Sequence, residues 1–304
     1  MICNVTEDSH KDLSDVFVGY FTYVIWFILL PIVILNSLMI FVILSNKNLQ
    51  KRRSNKFAVS LFLSHVLNGF SGFTEAGIVI ITKDTSLSKI GKNEWQFYFL
   101  ILWVVITSAI FINMLLIVVD RFMAIRYPFF YQNTNTRTLV SYTLLIGNTP
   151  YTLGCIVYVI KGLSLGTFTF VVITPVVLCF VVYANSVVYM QTRKQFKDIV
   201  KLTVSNDHTE NTKERQRLAK RQLRSLCICL FLMSSFLIAW LPMVGLLLYG
   251  YATAGLLCIG ENPPIFVLAW WSLNSVADPI IYASFNRDVK SKLKQISTNF
   301  RKSK

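Results

Sequence analysis

Five ionisable side chains stand within, or at the edge of, long runs of apolar residues: His65, Glu75, Asp120, Arg121 and Asp278. A charge in hydrocarbon is costly, so such groups turn toward other helices, water-filled cavities or one another, and they mark ligand counter-ions, ion paths or switches. Asp120 and Arg121 follow FYFLILWVVITSAIFINMLLIVV, twenty-three uncharged residues beginning at Phe97, and they precede the loop phrase MAIRYP. Such a pair either anchors a helix at the membrane surface or faces inward and works. Enzyme chemistry is disfavoured, because no His-Glu-x-x-His, nucleophile elbow or phosphate-binding loop occurs. No cofactor or metal is expected.

The elements that position these groups follow from the apolar runs. At about 1.5 Å per residue, twenty uncharged residues cross the roughly 30 Å hydrocarbon core of a bilayer. Of 304 residues, 54% are hydrophobic and only 15% charged, too apolar for a soluble domain of this size. Seven apolar segments are expected to form helices: Val16 to Ser45, Phe57 to Ile81, the run from Phe97, Thr138 to Ile160, Leu165 to Thr192, Ser225 to Tyr249 and Pro264 to Ser284. The fold class is therefore an all-α membrane protein, a seven-helix transmembrane bundle. Phe285, Val289, Leu293 and Ile296 recur at near-helical spacing among basic residues, which predicts a short amphipathic helix on the membrane surface. The chain divides into residues 1–15, 16–284 and 285–304: an N-terminal segment, the bundle, and the amphipathic helix with its tail.

The formal charge of +15 does not point to nucleic acid, because the basic residues fill gaps between apolar runs rather than one soluble face. Alternate gaps and the tail carry 25 of the 30 lysines and arginines. By the positive-inside rule those gaps are cytoplasmic and the N-terminus is extracellular. Residues 1–15 lack the basic and apolar regions of a cleavable signal, so the first helix is expected to act as its own insertion signal. Asn4 then lies in an accessible glycosylation sequon, Asn4-Val5-Thr6. Cys3 and Cys258 are the two extracellular cysteines; they either pair as a disulfide or remain free thiols. The segment from Arg193 to Arg224 reads as basic helical extensions around the polar turn SNDHTENT.

Five motifs in order resemble the rhodopsin-like G-protein-coupled receptors: NKFAVSLFLSHVL, VVDRFMAIRYP, the spacing of Pro175 to Tyr183, FLIAWLP and NSVADPIIY. The resemblance covers residues 16–296. It implies a plasma-membrane receptor for an extracellular ligand that activates heterotrimeric G proteins by outward movement of the sixth segment. On the matching positions it assigns activation and coupling to Asp120, Arg121, Phe129, Tyr183, Phe236, Trp240, Pro242, Asp278, Pro279 and Tyr282. Asn36, His65, Asn274 and Asp278 would form a central polar network. Glu75, Trp103 and Trp240 would line the ligand pocket, favouring a cationic small molecule or peptide.

Departures from the family's usual wording narrow the reading. Gln96 stands where most members carry a bridging cysteine, and the second outer loop near Lys161 has none. Gln222 stands where an acid sometimes tethers the third-segment arginine, and Ser272 excludes a retinal Schiff base. Glu75, the missing bridge and DPIIY are similar to melanocortin receptors, whereas AIRYP and NSVADPIIYA are similar to adenosine receptors. His65 replaces the family's second-segment acid, which helps hold a sodium ion, while Asp278 supplies an acid on the seventh segment. Burial disfavours an imidazolium and a nearby carboxylate favours it, so two outcomes stand open: a sodium-insensitive, pH-sensitive receptor, or a static buried pair. The alternative from another class is a seven-helix transporter or channel using His65, Glu75 and Asp278 as an ion path.

Overall fold

The computed structural model describes residues 11–82, 94–127, 129, 131, 174–204, 210–254 and 265–302. Among them the regular structure is entirely helical, in the order α1 (Lys11–Leu44), α2 (Lys47–Gln50), α3 (Arg53–Thr82), α4 (Glu94–Arg126), α5 (Thr174–Val204), α6 (Glu210–Ala254), α7 (Ile265–Phe285) and α8 (Arg287–Lys302). The expected segment from Thr138 to Ile160 lies outside the described residues. The long helices close a ring: α1 packs on α3, α3 on α4, α4 on α5, α5 on α6, α6 on α7, and α7 back on α1, with α4 also touching α6.

Several helices outrun the apolar segments that predicted them. α1 begins at Lys11 rather than Val16, because KDLSD contains no helix breaker and continues the turn beyond the apolar run. α5 continues to Val204, and α6 begins at Glu210 and runs for 45 residues. The phrase KERQRLAKRQLR is rich in Lys, Arg, Gln, Leu and Ala, which are good helix formers, so the basic extensions are helical. Phe27–Leu44, Ser54–Thr74, Val105–Ile125 and Val176–Asp198 are long and apolar enough to cross a membrane.

Polarity is distributed inside out. Phe27, Leu30, Ile34 and Phe41 of α1 face outward, Phe27 with 85% of its surface exposed, while Asn36 between them is fully buried. His65, Asn68, Asn113, Asn274 and Asp278 are buried likewise. Water rewards the opposite arrangement, whereas hydrocarbon accepts apolar faces and forces polar groups toward one another. Gly69 and Gly72 let α3 approach α1 closely, since a Cβ at Gly69 would lie 2.6 Å from Val33 Cγ2 and one at Gly72 would lie 2.7 Å from Leu29 Cδ2.

Prolines stand inside α1, α6 and α7 at Pro31, Pro242 and Pro279, and the two in α6 and α7 would each leave one carbonyl four residues earlier without its helical donor. In α6 that carbonyl belongs to Ile238, four before Pro242, and the indole Nε1 of Trp270 on α7 donates to it at 3.1 Å. In α7 it belongs to Ser275, four before Pro279, and the amide of Asn36 on α1 donates to it at 2.9 Å. Neighbouring helices thus satisfy the groups that the prolines release.

The turn from α7 into α8 is set by buried Asn286, whose Oδ1 accepts from the backbone amides of Asp288 at 3.2 Å and Val289 at 3.4 Å, an N-cap. Val289 is fully buried in the core, and Leu293 and Ile296 pack against it from the same side of α8. Phe285 stacks on Phe231 of α6 with ring centroids 4.7 Å apart.

Candidate functional site

The centre of the bundle is a hydrogen-bonded assembly built on α3, α6 and α7. His65 and Asp278 are both fully buried, with His65 Nε2 3.1 Å from Asp278 Oδ2. Asp278 also accepts from Ser235 Oγ of α6 at 3.1 Å and from the Asn274 amide at 3.4 Å. On the far side of the imidazole, Ser275 Oγ lies 2.8 Å from Nδ1. With Asp278 ionised, Nε2 carries a proton in either charge state of the ring. Ser275 then donates to Nδ1 of neutral histidine or accepts from imidazolium, so the hydroxyl accommodates both. Asn36 reaches the same region through its bond to the Ser275 carbonyl.

A second cluster fastens α3 to α4. Asn113 Nδ2 donates to Ser64 Oγ at 3.0 Å, and Ser60 Oγ donates to Asn113 Oδ1 at 2.9 Å. Above these groups lies an aromatic packing unit in which Phe111, Phe236 and Trp240 are all buried. Phe111 meets Trp240 edge-on with centroids 5.0 Å apart, and Phe236 lies 5.5 Å from Trp240. Phe236 and Trp240 occupy one face of α6 a turn apart, so turning α6 disturbs both contacts with Phe111 at once.

At the end of the bundle bearing Arg121, a cavity of about 630 Å³ opens between α3, α4, α6, α7 and α8. Its wall includes Asn55, Arg121, Cys229 and Tyr282. Asp120 lies 3.5 Å from Arg121 and accepts from the Tyr131 hydroxyl at 3.0 Å. The Tyr282 hydroxyl donates to Asn55 Oδ1, and the Tyr282 ring meets Phe62 edge-on at 5.5 Å, tying α7 to α3. Arg52 pairs with Asp288 of α8 at 2.6 Å. Phe129 is 84% exposed beyond the end of α4.

Apolar helices thus surround a polar centre, with the Asp-Arg pair and Tyr282 at one end. The sequence profile of the family described as "7 transmembrane receptor (rhodopsin family)" matches residues 35–282. The chain belongs to that family. It is a multi-pass membrane receptor of the rhodopsin type, in a family of receptors rather than enzymes. No curated protein matches the chain at a significant level.

In this receptor the residues singled out by sequence fall into separate places. Asn36, His65, Asn274 and Asp278 come together at the centre, as do Phe236 and Trp240 with Phe111. Arg121, beside Asp120, and Tyr282 line one cavity, whereas Tyr183 on α5 is 57% exposed and lies beside Phe122. Pro279 is buried and Pro242 is exposed. Glu75 and Trp103 lie on α3 and α4, but their side chains are outside the described residues, as are Asn4, Cys3 and Cys258.

Sequence reasoning missed Asn55, Asn113, Ser235, Ser275 and Trp270. Asn113 could have been found as a polar interruption in the uncharged run from Phe97. Trp270 could have been sought as a donor for the carbonyl that Pro242 releases. Asn55 sits among basic residues and resembles a loop position, and the serines carry no local signal.

Proposed function

We propose that the receptor lies in the plasma membrane with its N-terminus outside, binds an extracellular ligand, and activates heterotrimeric G proteins at the end bearing Arg121. The observation that carries this reading is the position of Arg121 on the wall of a cavity bounded by α6, the helix interrupted by Pro242. Outward movement of α6 about that proline would widen the cavity into a cleft for a partner helix, with Arg121, Tyr282 and Tyr183 rearranging around it and exposed Phe129 offering an apolar contact. An ion path draws less support, because His65 and Asp278 spend their hydrogen-bonding groups on Ser235, Asn274 and Ser275.

Arg121→Ala should lower guanine-nucleotide exchange on co-expressed G proteins at least tenfold while surface expression stays within about twofold. Undiminished exchange would reduce Arg121 to a surface anchor.

The ligand reading rests on Glu75, a carboxylate within an apolar run, with Glu94 and Glu261 bordering apolar segments of the sequence, Trp103 within one, and Trp240 buried. A cationic group on a small molecule or peptide would pair with Glu75, and a charge-assisted hydrogen bond is worth about 1.5–3 kcal/mol. Glu75→Gln should therefore weaken a cationic agonist about tenfold or more in a binding titration; unchanged affinity would remove Glu75 from the pocket.

A further inference from the structure

The cavity beside Arg121 is lined by cations out of proportion to acids. Arg217, Lys220 and Arg224 occupy positions i, i+3 and i+7 on α6 and so form one stripe along the wall facing it. Arg52 and Arg287 line it from the α3 and α8 side. Among the described residues Asp288 is the one acidic side chain in the lining, and it is engaged by Arg52 at 2.6 Å. From Arg215 to Ala254, α6 carries no acidic residue. Arg287 opens α8, where the helix dipole disfavours a cation and favours an anion. Glu214 stands one turn before Arg217 at the outer end of the stripe, and among the described lining residues no acidic side chain but Asp288 faces these cations.

We propose that this cavity binds a clustered-phosphate anion of the inositol polyphosphate type, free or as the headgroup of an inner-leaflet lipid. Several phosphates on one small ring can meet cations on different walls at once, which single-charge anions cannot do, and phosphate oxygens accept the forked donors of arginine. The cavity lies within the range of about 300–1,000 Å³ usual for small-ligand sites. The proposal rests on the reading that the Arg121 end is cytoplasmic, and it deepens that reading. An anion bridging α6 to α8 would hold α6 inward and occupy the space that a G-protein helix would enter.

The test uses purified full-length receptor in phosphatidylcholine nanodiscs, titrated calorimetrically with inositol hexakisphosphate. Saturable binding of one per receptor is expected. The double variant K220Q/R224Q should weaken it at least tenfold, whereas R193Q/K194Q, which removes the same charge from α5 outside the cavity, should change it by less than about twofold. Repeating the titration in discs containing phosphatidylinositol 4,5-bisphosphate or equally charged phosphatidylserine identifies the source. Loss of the signal only with the phosphoinositide assigns the site to a lipid headgroup; retention in both assigns it to a soluble anion. Absence of saturable binding, or equal weakening by the two double variants, would overturn the proposal. No G protein is present in the titration, so its failure is separate from a failure of G-protein coupling.

Discussion

His65 and Asp278 illustrate how a buried charge is made tolerable. The carboxylate has three donors around it, from His65, Ser235 and Asn274, and the imidazole has a partner at each nitrogen. Removing one member leaves the other's polar atoms stranded, and a buried polar group without a partner costs about 1–3 kcal/mol. The imidazole nitrogen stands 3.1 Å from the carboxylate, where a bound cation would otherwise compete for the same oxygen. Basal nucleotide exchange in membranes should therefore differ by less than about 1.5-fold when sodium is replaced by N-methylglucamine. His65→Asp, which sets a second carboxylate beside Asp278, should restore suppression by sodium. Suppression in the unaltered receptor, or none in His65→Asp, would contradict that role for His65. The pair was legible in the sequence because each member interrupts an apolar run, where a charge must find company. Ser235, Ser275 and Asn55 were not, since serine occurs freely in membrane helices and only the fold shows which hydroxyl reaches a carboxylate.

At the scale of helices, proline and glycine positions govern the contacts. Trp270 holds the Ile238 carbonyl released by Pro242 and thereby links α7 to the bend in α6. An interhelical hydrogen bond in a membrane is worth about 1 kcal/mol, roughly fivefold in an equilibrium. Trp270→Phe keeps the ring and deletes the donor, so basal exchange should rise by up to about fivefold, measured against receptor number at the cell surface. A fall, or no change, would show that the bend does not depend on this bond. The two glycines of α3 make a paired comparison. An added methyl at Gly69 meets Val33, a β-branched side chain with little freedom in a helix, whereas at Gly72 it meets the mobile end of Leu29. Gly69→Ala should destabilise detergent-solubilised receptor by about 1–3 kcal/mol, and Gly72→Ala by clearly less, in matched thermal melts. Equal losses would mean that α1 shifts as a body. Helix existence was readable from apolar length, but helix ends were not. The membrane-crossing pattern stops at the lipid boundary, while the backbone of α5 and α6 continues wherever good helix formers follow.

For the whole molecule, the inversion of polarity and the ring of helices accord with the family match over residues 35–282. They also explain what remained hidden in the sequence. Apolar runs announce helices and their order, yet the faces that meet depend on small residues such as Gly69 and on polar pairs widely separated in the chain, such as Tyr282 with Asn55. The 45-residue α6 adds a mechanical consequence. From Pro242 to Arg224 is about 27 Å, and from Pro242 to Glu210 about 48 Å, at 1.5 Å per residue. A rigid arm of that length multiplies angle into travel: a tilt of about 10° at the proline carries Arg224 by about 5 Å and Glu210 by about 8 Å on this geometry. The far tip of the arm is thus a more sensitive gauge of the receptor's state than any point inside the membrane. A spectroscopic label near Glu210 would register small tilts that one beside Trp240, close to the fulcrum, would miss.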